Sequence, residues 1–498
     1  MNRHRMLNSM LSIALATSFG LPGVSVAAEN TSANAGDWGK FEVGSRVVHI
    51  DNDQKPTTPP IDVLLWYPAD KQDYANGTPT VYASRLNGIP IVDPSDPDRW
   101  VPMSFIVAAD RARDGVAIDQ GGPSFPLIIF SHAAASDPQN VAFTLERLAS
   151  HGFIIAAPWH NGDTQDDQRI DLINALAINP LGKRIFELCF DGKPTITSKP
   201  PIEPVPCIDG VNKAVQNRAR DVAAILNTIP SLFPDRVDTN HVGLLGQSRG
   251  SLTAMAAAGG SKLLADSRIK AIMTLATAGA NAMSLVNPGN IDDVPVLMVT
   301  SKADHNTDMS IAVDAFNKIT SKEKALVVLE RGEHAVYSIN RCAQMQAAGA
   351  VFQNEPRAIG EKLTLDNILK VPLPGMPYSG TPIDYCLFDS FIQPVIILET
   401  VSDITGYSPD YIKDNVPKSL DAVTAMRLVL ELANTFFDAT LVKKAQPGAH
   451  FKQYLSPKFM LYKEGEALSY EQTESFQGRA VECDDRALAS LDPSCAEE

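Results

Sequence analysis

Short runs of consecutive apolar residues alternate along this chain with segments in which apolar positions recur at helical spacing. Such runs are typical of parallel strands that are buried on both faces. They occupy residues 125–130, 153–157, 242–245, 295–300 and 325–329. The segments that predict helices occupy residues 141–151, 213–228, 252–258 and 420–441. The order predicts an α/β protein with a mostly parallel central sheet and helices on both faces.

The run at residues 242–245 leads directly into residues 246–250, which read G-Q-S-R-G. Between a strand and a helix, a G-x-S-x-G pattern predicts a sharp turn that holds its serine in a strained conformation and exposes the hydroxyl. The two glycines remove Cβ atoms that would collide where strand and helix cross. Ser248 is therefore the candidate nucleophile, and a chance match of the pattern is the alternative.

A serine nucleophile needs a base that accepts its proton. In this type of turn the base follows the serine in the chain, and three of the nine histidines, His305, His334 and His450, follow Ser248. His334 is favoured because a short loop after the run at 325–329 would carry it to the carboxyl end of the sheet. His450 lies beyond the long last helix and is the second candidate.

The base needs an acid that orients it. The loop after the run at 295–300 carries Asp304 at the predicted edge of the sheet. Asp304 is therefore the candidate acid, with Asp308 as the fallback. The alternative for Asp304 is a purely structural role, in which it caps a helix that starts near Thr307.

Acyl transfer also needs hydrogen-bond donors for the oxyanion, and removing one typically costs about 3 to 4 kcal/mol of transition-state stabilisation. The backbone amide of Arg249, directly after the nucleophile, is one predicted donor. The second is expected in the loop after the run at 125–130, where we predict the amide of Ala134. His132 in the same loop is expected to brace it rather than to take part in catalysis.

Three segments in sequence carry a family resemblance: residues 125–135, a predicted helix at 141–151, and residues 152–162. They resemble the pattern F-P-L-x-x-F-S-H-G, helix, H-G-x-x-V-x-x-x-D-H of secreted α/β-hydrolases of the platelet-activating-factor acetylhydrolase and dienelactone-hydrolase type. Residues 63–69 and 218–221 are further similarities, so the resemblance spans roughly residues 47–337.

The resemblance implies an α/β-hydrolase fold and hydrolysis of carboxylic esters through an acyl-enzyme. Ser248, Asp304 and His334 match the family's nucleophile, acid and base. Two positions depart from the pattern, since Ala133 stands where the family usually has glycine and Trp159 where it usually has aspartate. The first departure lies in the predicted oxyanion loop, and neither affects the three candidate catalytic residues.

The N-terminus predicts export. Arg3 and Arg5 precede a short apolar core at residues 10–21, and small residues at 26–28 form a cleavage point, so residues 1–28 are predicted to be a signal peptide. We expect the mature protein to be periplasmic or secreted and to have no membrane-spanning segment. The net charge of −15 disfavours nucleic acid and anionic membrane surfaces as partners.

An even number of cysteines in an exported chain predicts disulfide bonds, and none of them has the close spacing of a zinc site. The six cysteines are Cys189, Cys207, Cys342, Cys386, Cys483 and Cys495. Sequence alone leaves every pairing open. The positions of the cysteines in loops suggest three disulfides, Cys189 with Cys207, Cys342 with Cys386, and Cys483 with Cys495. We predict no metal and no organic cofactor.

Residues 29–498 are predicted to form one domain with two loop-rich cap insertions, at about 163–210 and 342–418, and a short C-terminal tail. Loops at the carboxyl edge of such a sheet lie over the site, so the caps are expected to shape substrate choice. The alternative is that they are inert surface elaborations.

Two groups of acidic residues raise the possibility of bound calcium, but neither has the glycine and terminal glutamate of a calcium loop. They comprise Asp93, Asp96 and Asp98 in a proline-rich loop, and Asp163, Asp166 and Asp167 in another. We expect both groups to be solvated acidic loops.

The favoured function is ester hydrolysis by a secreted serine hydrolase, acting on a lipid, small acyl or aryl, or polymeric ester. A hydrolase fold used for binding, with idle catalytic residues, is the alternative class. Amide cleavage and acyl transfer also remain open, because they use the same serine, histidine, aspartate and oxyanion donors. The oligomeric state is not predicted.

Overall fold

The fold is that of a computed structural model. It describes residues 38–51, 60–83, 89–93, 96–103, 106–134, 136–164, 205–279, 285–302, 304, 307, 309–329, 334–337, 422–442 and 468–472. The predicted signal peptide, most of the first predicted cap, all of the second and most of the C-terminal tail lie outside these residues. So do five of the six cysteines; Cys207 is the exception. The predicted disulfide pairings therefore remain predictions.

The described strands form one large sheet and a separate hairpin. They are β1 Glu42–Ile50, β2 Ile61–Ala69, β3 Thr78–Ala83, β4 Ile89–Asp93, β5 Asp96–Met103, β6 Ile106–Asp114, β7 Phe125–Ser131, β8 Ile154–Pro158, β9 Val237–Gln247, β10 Ile269–Leu275, β11 Val296–Ser301, β12 Lys324–Leu329 and β13 Leu468–Gln472.

The large sheet has eleven strands in the order β13-β12-β11-β10-β9-β7-β8-β2-β1-β6-β3. Its centre, from β12 to β8, is parallel, while β2 and β13 run antiparallel to their neighbours in that central part. From β7 the chain passes first to β8 on one side and then to β9 on the other, so the winding direction reverses beside β7. In open α/β sheets, ligands bind at the carboxyl ends of the strands at such a reversal.

The central strands are buried along their length, as their uninterrupted apolar sequences predict. Every residue of β7, β8 and β11 is buried. Successive side chains of a strand point to opposite faces, and the pairs Leu244/Leu245 and Leu297/Met298 divide between two separate hydrophobic clusters. The sheet is therefore covered on both faces.

Helices cover the sheet on both sides. They are α1 Lys71–Tyr74, α2 Ala142–Ser150, α3 Val205–Leu232, α4 Arg249–Met255, α5 Met309–Lys318 and α6 Ala422–Phe437. Side chains of α2 and α6 belong to one hydrophobic cluster, and side chains of α3, α4 and α5 belong to the other. The predicted mixed α/β architecture is confirmed at this level.

Helix α3 corrects one predicted boundary. It begins at Val205, eight residues before the predicted start, so the last part of the first predicted cap, including Cys207, is helical. Proline is tolerated in the first turn of a helix because the amides there have no partner within the helix. Pro206 therefore lies at a helix start, although the proline-rich sequence around it predicted a loop.

The first acidic group is also placed differently from its prediction. Asp93 ends β4 and Asp96 begins β5, and the two residues pair across a hairpin. Among the described residues, no group of three or more histidine, cysteine, aspartate or glutamate side chains is arranged to hold a metal ion. None of the described helices is long and apolar enough to cross a membrane.

Candidate active site

The turn between β9 and α4 places Ser248 at φ 52° and ψ −117°. L residues rarely adopt positive φ, and strain of this kind persists only where the surrounding structure holds it. The Ser248 amide donates a hydrogen bond to the Leu275 carbonyl at 2.8 Å, and its carbonyl accepts one from the Ser251 amide at 2.8 Å. The predicted strained strand-to-helix turn is therefore present.

The two glycines of the turn are needed for close backbone approaches. A Cβ on Gly246 would lie 2.2 Å from the Gly250 carbonyl oxygen, where strand and helix cross. A Cβ on Gly250 would lie 1.9 Å from the Ser131 carbonyl oxygen. The first approach is the one that the sequence predicts, whereas the second packs the turn against the end of β7.

His334 begins a single helical turn, His334–Tyr337, after β12. Its Nε2 atom lies 3.1 Å from Ser248 Oγ. Its Nδ1 atom lies 2.9 Å from Asp304 Oδ2 and 3.1 Å from Oδ1. The structure thus brings together the three residues that the sequence selects, and all three are at most 9% exposed.

These contacts assign the tautomer of the imidazole. A carboxylate only accepts hydrogen bonds, so His334 Nδ1 carries the proton that it donates to Asp304. Nε2 is then unprotonated and lies within hydrogen-bond distance of the Ser248 hydroxyl, whose proton it can accept. This is the arrangement in which a histidine acts as general base toward a serine.

Thr307 is a member of the site that sequence reasoning missed. Its hydroxyl donates to Asp304 Oδ2 at 2.7 Å, and its amide donates to Oδ1 at 2.8 Å. Asp304 therefore braces the chain ahead of α5 and contacts His334 at the same time. The helix-capping interpretation and the catalytic interpretation of Asp304 are compatible. The other candidates, His305, Asp308 and His450, lie outside the described residues.

The predicted oxyanion donors belong to segments that touch. The loop after β7 lies against the turn, because Gly250 packs on the carbonyl oxygens of Ser131 and His132. Ala134 in that loop is 7% exposed, and Arg249 is the first residue of α4. The assignment of the Ala134 and Arg249 amides as donors remains a prediction.

A buried network of charged and polar side chains lies beneath this loop. Arg218 Nε donates to Asp163 Oδ2 at 2.7 Å, and the Arg249 guanidinium pairs with the other oxygen of the same carboxylate. Asp163 is 3% exposed, so the prediction of a solvated acidic loop is wrong for this residue. The buried guanidinium of Arg218 and the partly buried guanidinium of Arg249 stabilise its charge. Asp166 and Asp167 lie outside the described residues.

Two histidines complete the network. His160 Nδ1 lies 2.8 Å from Asp221 Oδ2, and its Nε2 lies 3.0 Å from Ser131 Oγ. His132 Nδ1 donates to the Ala133 carbonyl at 2.7 Å, and its Nε2 accepts from the His160 amide at 3.3 Å. His132 braces its own loop, which agrees with the role expected from the sequence.

Burial and the neighbouring Arg218 lower the pKa of both His132 and His160 well below its usual value. Burial is the larger cause in each case, because it penalises the charged imidazolium. Both histidines are therefore neutral at pH 7. Burial also lowers the pKa of Arg218, against the opposing effect of Asp163.

No protein-family model matches this chain, and no curated protein matches it. Similar solved structures include a ferulic acid esterase from Streptomyces cinnamoneus, which is 16% identical. The match covers 87% of this chain and 97% of that chain, with a TM-score of 0.44. An identity this low assigns no chemistry to this chain.

Proposed function

We propose that the chain is a serine hydrolase of the α/β-hydrolase fold that cleaves carboxylic esters. The observation that carries the proposal is the hydrogen-bonded series Ser248, His334, Asp304, with its serine on a strained turn at the carboxyl edge of the sheet. The reversal of winding direction beside β7 supports the same location.

In the proposed reaction, Ser248 Oγ attacks the ester carbonyl carbon while His334 Nε2 takes the hydroxyl proton. Asp304 stabilises the imidazolium that forms, and the amides of Ala134 and Arg249 stabilise the oxyanion. The intermediate collapses with loss of the alkoxide, which leaves as an alcohol with the proton from His334. A water molecule, deprotonated by His334, then attacks the acyl-enzyme and releases the carboxylic acid.

A second Ser-His-Asp series, Ser131, His160 and Asp221, has similar distances but does not support catalysis. Ser131 is 0% exposed, whereas Ser248 is 9% exposed. Ser131 Oγ also accepts a hydrogen bond from Arg218 Nη1 at 3.2 Å. A guanidinium beside the hydroxyl and a regular strand conformation suit a structural link rather than a nucleophile.

The test is covalent labelling with a fluorophosphonate, followed by peptide mapping of the adduct. The expected result is a single adduct on Ser248 that is lost on heat denaturation and in Ser248→Ala, and kept in Ser131→Ala. Turnover of p-nitrophenyl acetate should follow the labelling. If the native protein neither labels nor turns over esters, the proposal fails and a binding protein with idle catalytic residues is the remaining alternative. An adduct on Ser131 would mean that Ser131, His160 and Asp221 are the catalytic series.

Export is part of the proposal and rests on residues 1–28. Amino-terminal sequencing of protein recovered from the periplasm or medium should begin near residue 29. Peptide mapping without reduction should identify the partners of the six cysteines. Intact residues 1–28 in the recovered protein would contradict export through a cleaved signal peptide.

A further inference from the structure

Arg218 holds the backbone of the loop that follows β7. Its Nη1 donates to the His132 carbonyl at 2.5 Å, and its Nη2 donates to the Ala133 carbonyl at 3.3 Å. Its side chain is only 1% exposed, and the helix that carries it, α3, packs on the face opposite to α2. One planar guanidinium therefore contacts two successive peptide groups of the loop.

The contact with the Ala133 carbonyl also sets the direction of the next amide. The Ala133 carbonyl and the Ala134 N–H belong to one planar trans peptide unit, in which the C=O and N–H bonds point in opposite directions. Because Arg218 and His132 both hold the carbonyl oxygen on the buried side, the Ala134 N–H points away from Arg218. Losing the guanidinium removes one of the two hydrogen bonds that fix this peptide plane and leaves only the one from His132.

Asp163 connects this loop to the turn that carries the nucleophile. One of its oxygens accepts from Arg218, and the other accepts from Arg249. Arg249 directly follows Ser248, and its backbone amide is the other proposed hydrogen-bond donor to the oxyanion. A single carboxylate therefore ties together the two segments that supply the two proposed donors.

The network is built to keep Arg218 charged while buried. An unpaired buried cation is costly, and Asp163 and Asp221 both act to raise the pKa of Arg218, against its burial. The neutral His160 links Asp221 to Ser131, which also accepts from Arg218. The guanidinium thus has partners in the loop, in α3 and at the ends of β7 and β8.

We propose that Arg218 is a positioning residue for the oxyanion site, which orients the Ala134 amide directly and is coupled through Asp163 to Arg249. The inference rests on the proposed function, since it assigns a role within that reaction. Its structural content, that Arg218 fixes the loop at residues 132–134, is measurable without any activity.

The kinetic test compares Arg218→Lys with Arg236→Lys. Arg236 is a matched control because it also clamps a loop through backbone carbonyls, at the opposite end of β7. Lysine keeps the charge but loses the planar fork. We expect kcat on p-nitrophenyl acetate to fall about 100-fold or more in Arg218→Lys, in line with loss of an oxyanion donor. KM should change only a few-fold, and Arg236→Lys should keep kcat within about two-fold of the native value.

The pH profile separates positioning of the oxyanion site from an effect on the base. Within the described part of the chain no hydrogen bond joins Arg218 to His334, so the acid limb of kcat/KM should keep its midpoint while the plateau falls. A shifted midpoint would mean that the substitution acts through His334, which contradicts the proposal. Asp163→Asn is the second variant if Arg218→Lys does not fold. It should also lower kcat by a larger factor than the factor by which it changes KM.

Hydrogen exchange supplies the readout that needs no catalysis. Amides at residues 131–134 should exchange faster in Arg218→Lys than in native protein, and should be unchanged in Arg236→Lys. If the native protein neither labels nor turns over esters, the proposed function fails, and exchange alone decides whether Arg218 holds the loop. If the native protein is active and the two variants lose equal kcat, or if exchange in the loop is unchanged, the positioning role is refuted.

Discussion

Strand β7 is held at both ends by an arginine, and the two ends are built differently. At the amino end, Arg236 donates to the carbonyls of Asp119, Gly121, Gly122 and Pro123 at 2.8 to 3.1 Å, and it packs over the Phe125 ring. At the carboxyl end, Arg218 donates to two carbonyls and is paired with a carboxylate that reaches the nucleophile turn.

The difference shows what a buried ion network adds to a simple clamp. Backbone carbonyls and the Phe125 ring are sufficient partners for Arg236, whose loop only has to connect β6 with β7. Arg218 is more deeply buried and requires counter-charges, and those counter-charges connect its loop to α4 and β8. The amino end of β7 is therefore expected to serve stability, and the carboxyl end to serve both stability and chemistry.

The largest effect is expected at the nucleophile. Ser248→Ala should lower kcat on a small ester by about 10⁴- to 10⁶-fold, because members of such a series act as a unit. Its thermal unfolding should stay close to native, since the change removes one partly buried hydroxyl. Steady-state kinetics and calorimetry of both proteins check this. Residual turnover above one per cent would show that Ser248, on the turn that packs against the carboxyl end of β7, is not the nucleophile.

Asp304→Asn should have the next largest effect. An amide NH₂ facing Nδ1 favours the wrong imidazole tautomer, so Nε2 can no longer accept the Ser248 proton, and kcat should fall about 10⁴-fold. The Asn oxygen can still accept from Thr307, so the start of α5 should remain formed. Thr307→Ala is the control, with a loss of only a few-fold. Equal losses in the two variants would mean that Asp304 acts only as a helix cap.

The sequence predicted Ser248, His334 and Asp304 because each follows a short apolar run, and the chain order of a serine turn restricts the choice. Thr307 could not be predicted with the same logic. Its contacts depend on how the chain turns after β11, and a threonine three residues after an aspartate is common. The fold was predictable to the level of a mixed sheet with helices on both faces, whereas the start of α3 and the β4/β5 hairpin were not.

The Arg218 network left one local signal in the sequence. Val215, Arg218, Val222 and Ile225 are spaced as one buried stripe of α3, and all four are at most 1% exposed. A charged residue on an apolar stripe indicates a buried ion pair. Its partner, Asp163, is far away in the chain, within an acidic group that looks solvated. Only the three-dimensional arrangement pairs them.

Two glycine substitutions test the two ends of β7 separately. A Cβ on Gly250 would overlap the Ser131 carbonyl oxygen, so Gly250→Ala forces the turn and the loop apart and should destabilise the protein by about 3 kcal/mol or more. Gly122, in the loop held by Arg236, has φ +73° and open space around its Cβ position. Gly122→Ala should cost only the backbone strain, about 1 to 2 kcal/mol.

Activity distinguishes the two substitutions further. Per folded molecule, Gly250→Ala should lose kcat, because it displaces both proposed oxyanion donors, while Gly122→Ala should retain it. Urea unfolding and active-site titration with a fluorophosphonate provide the two measurements. Full kcat in Gly250→Ala would show that the contact between turn and loop is not required for the oxyanion site.

The smallest expected effect concerns pH, and it arises only at the carboxyl end. The folded protein holds the pKa of His132 and His160 well below the usual value, mainly through burial and then through Arg218. The unfolded chain binds protons at these histidines below about pH 6.5, so it gains stability relative to the folded protein as the pH falls. Stability contributed by the neutral histidines is therefore fully present above pH 6.5 and is lost progressively as the pH falls below it. In His160→Gln, the unfolding free energy is expected to be lower at pH 7 but to fall less steeply between pH 6.5 and 5.

Arg236→Lys is the control for the pH dependence. It lowers stability without removing a histidine, so the slope of its unfolding free energy against pH should match that of the native protein. A native slope in His160→Gln would mean that His160 binds a proton over the same pH range in the folded protein as in the unfolded chain, which contradicts a neutral His160 between Asp221 and Ser131.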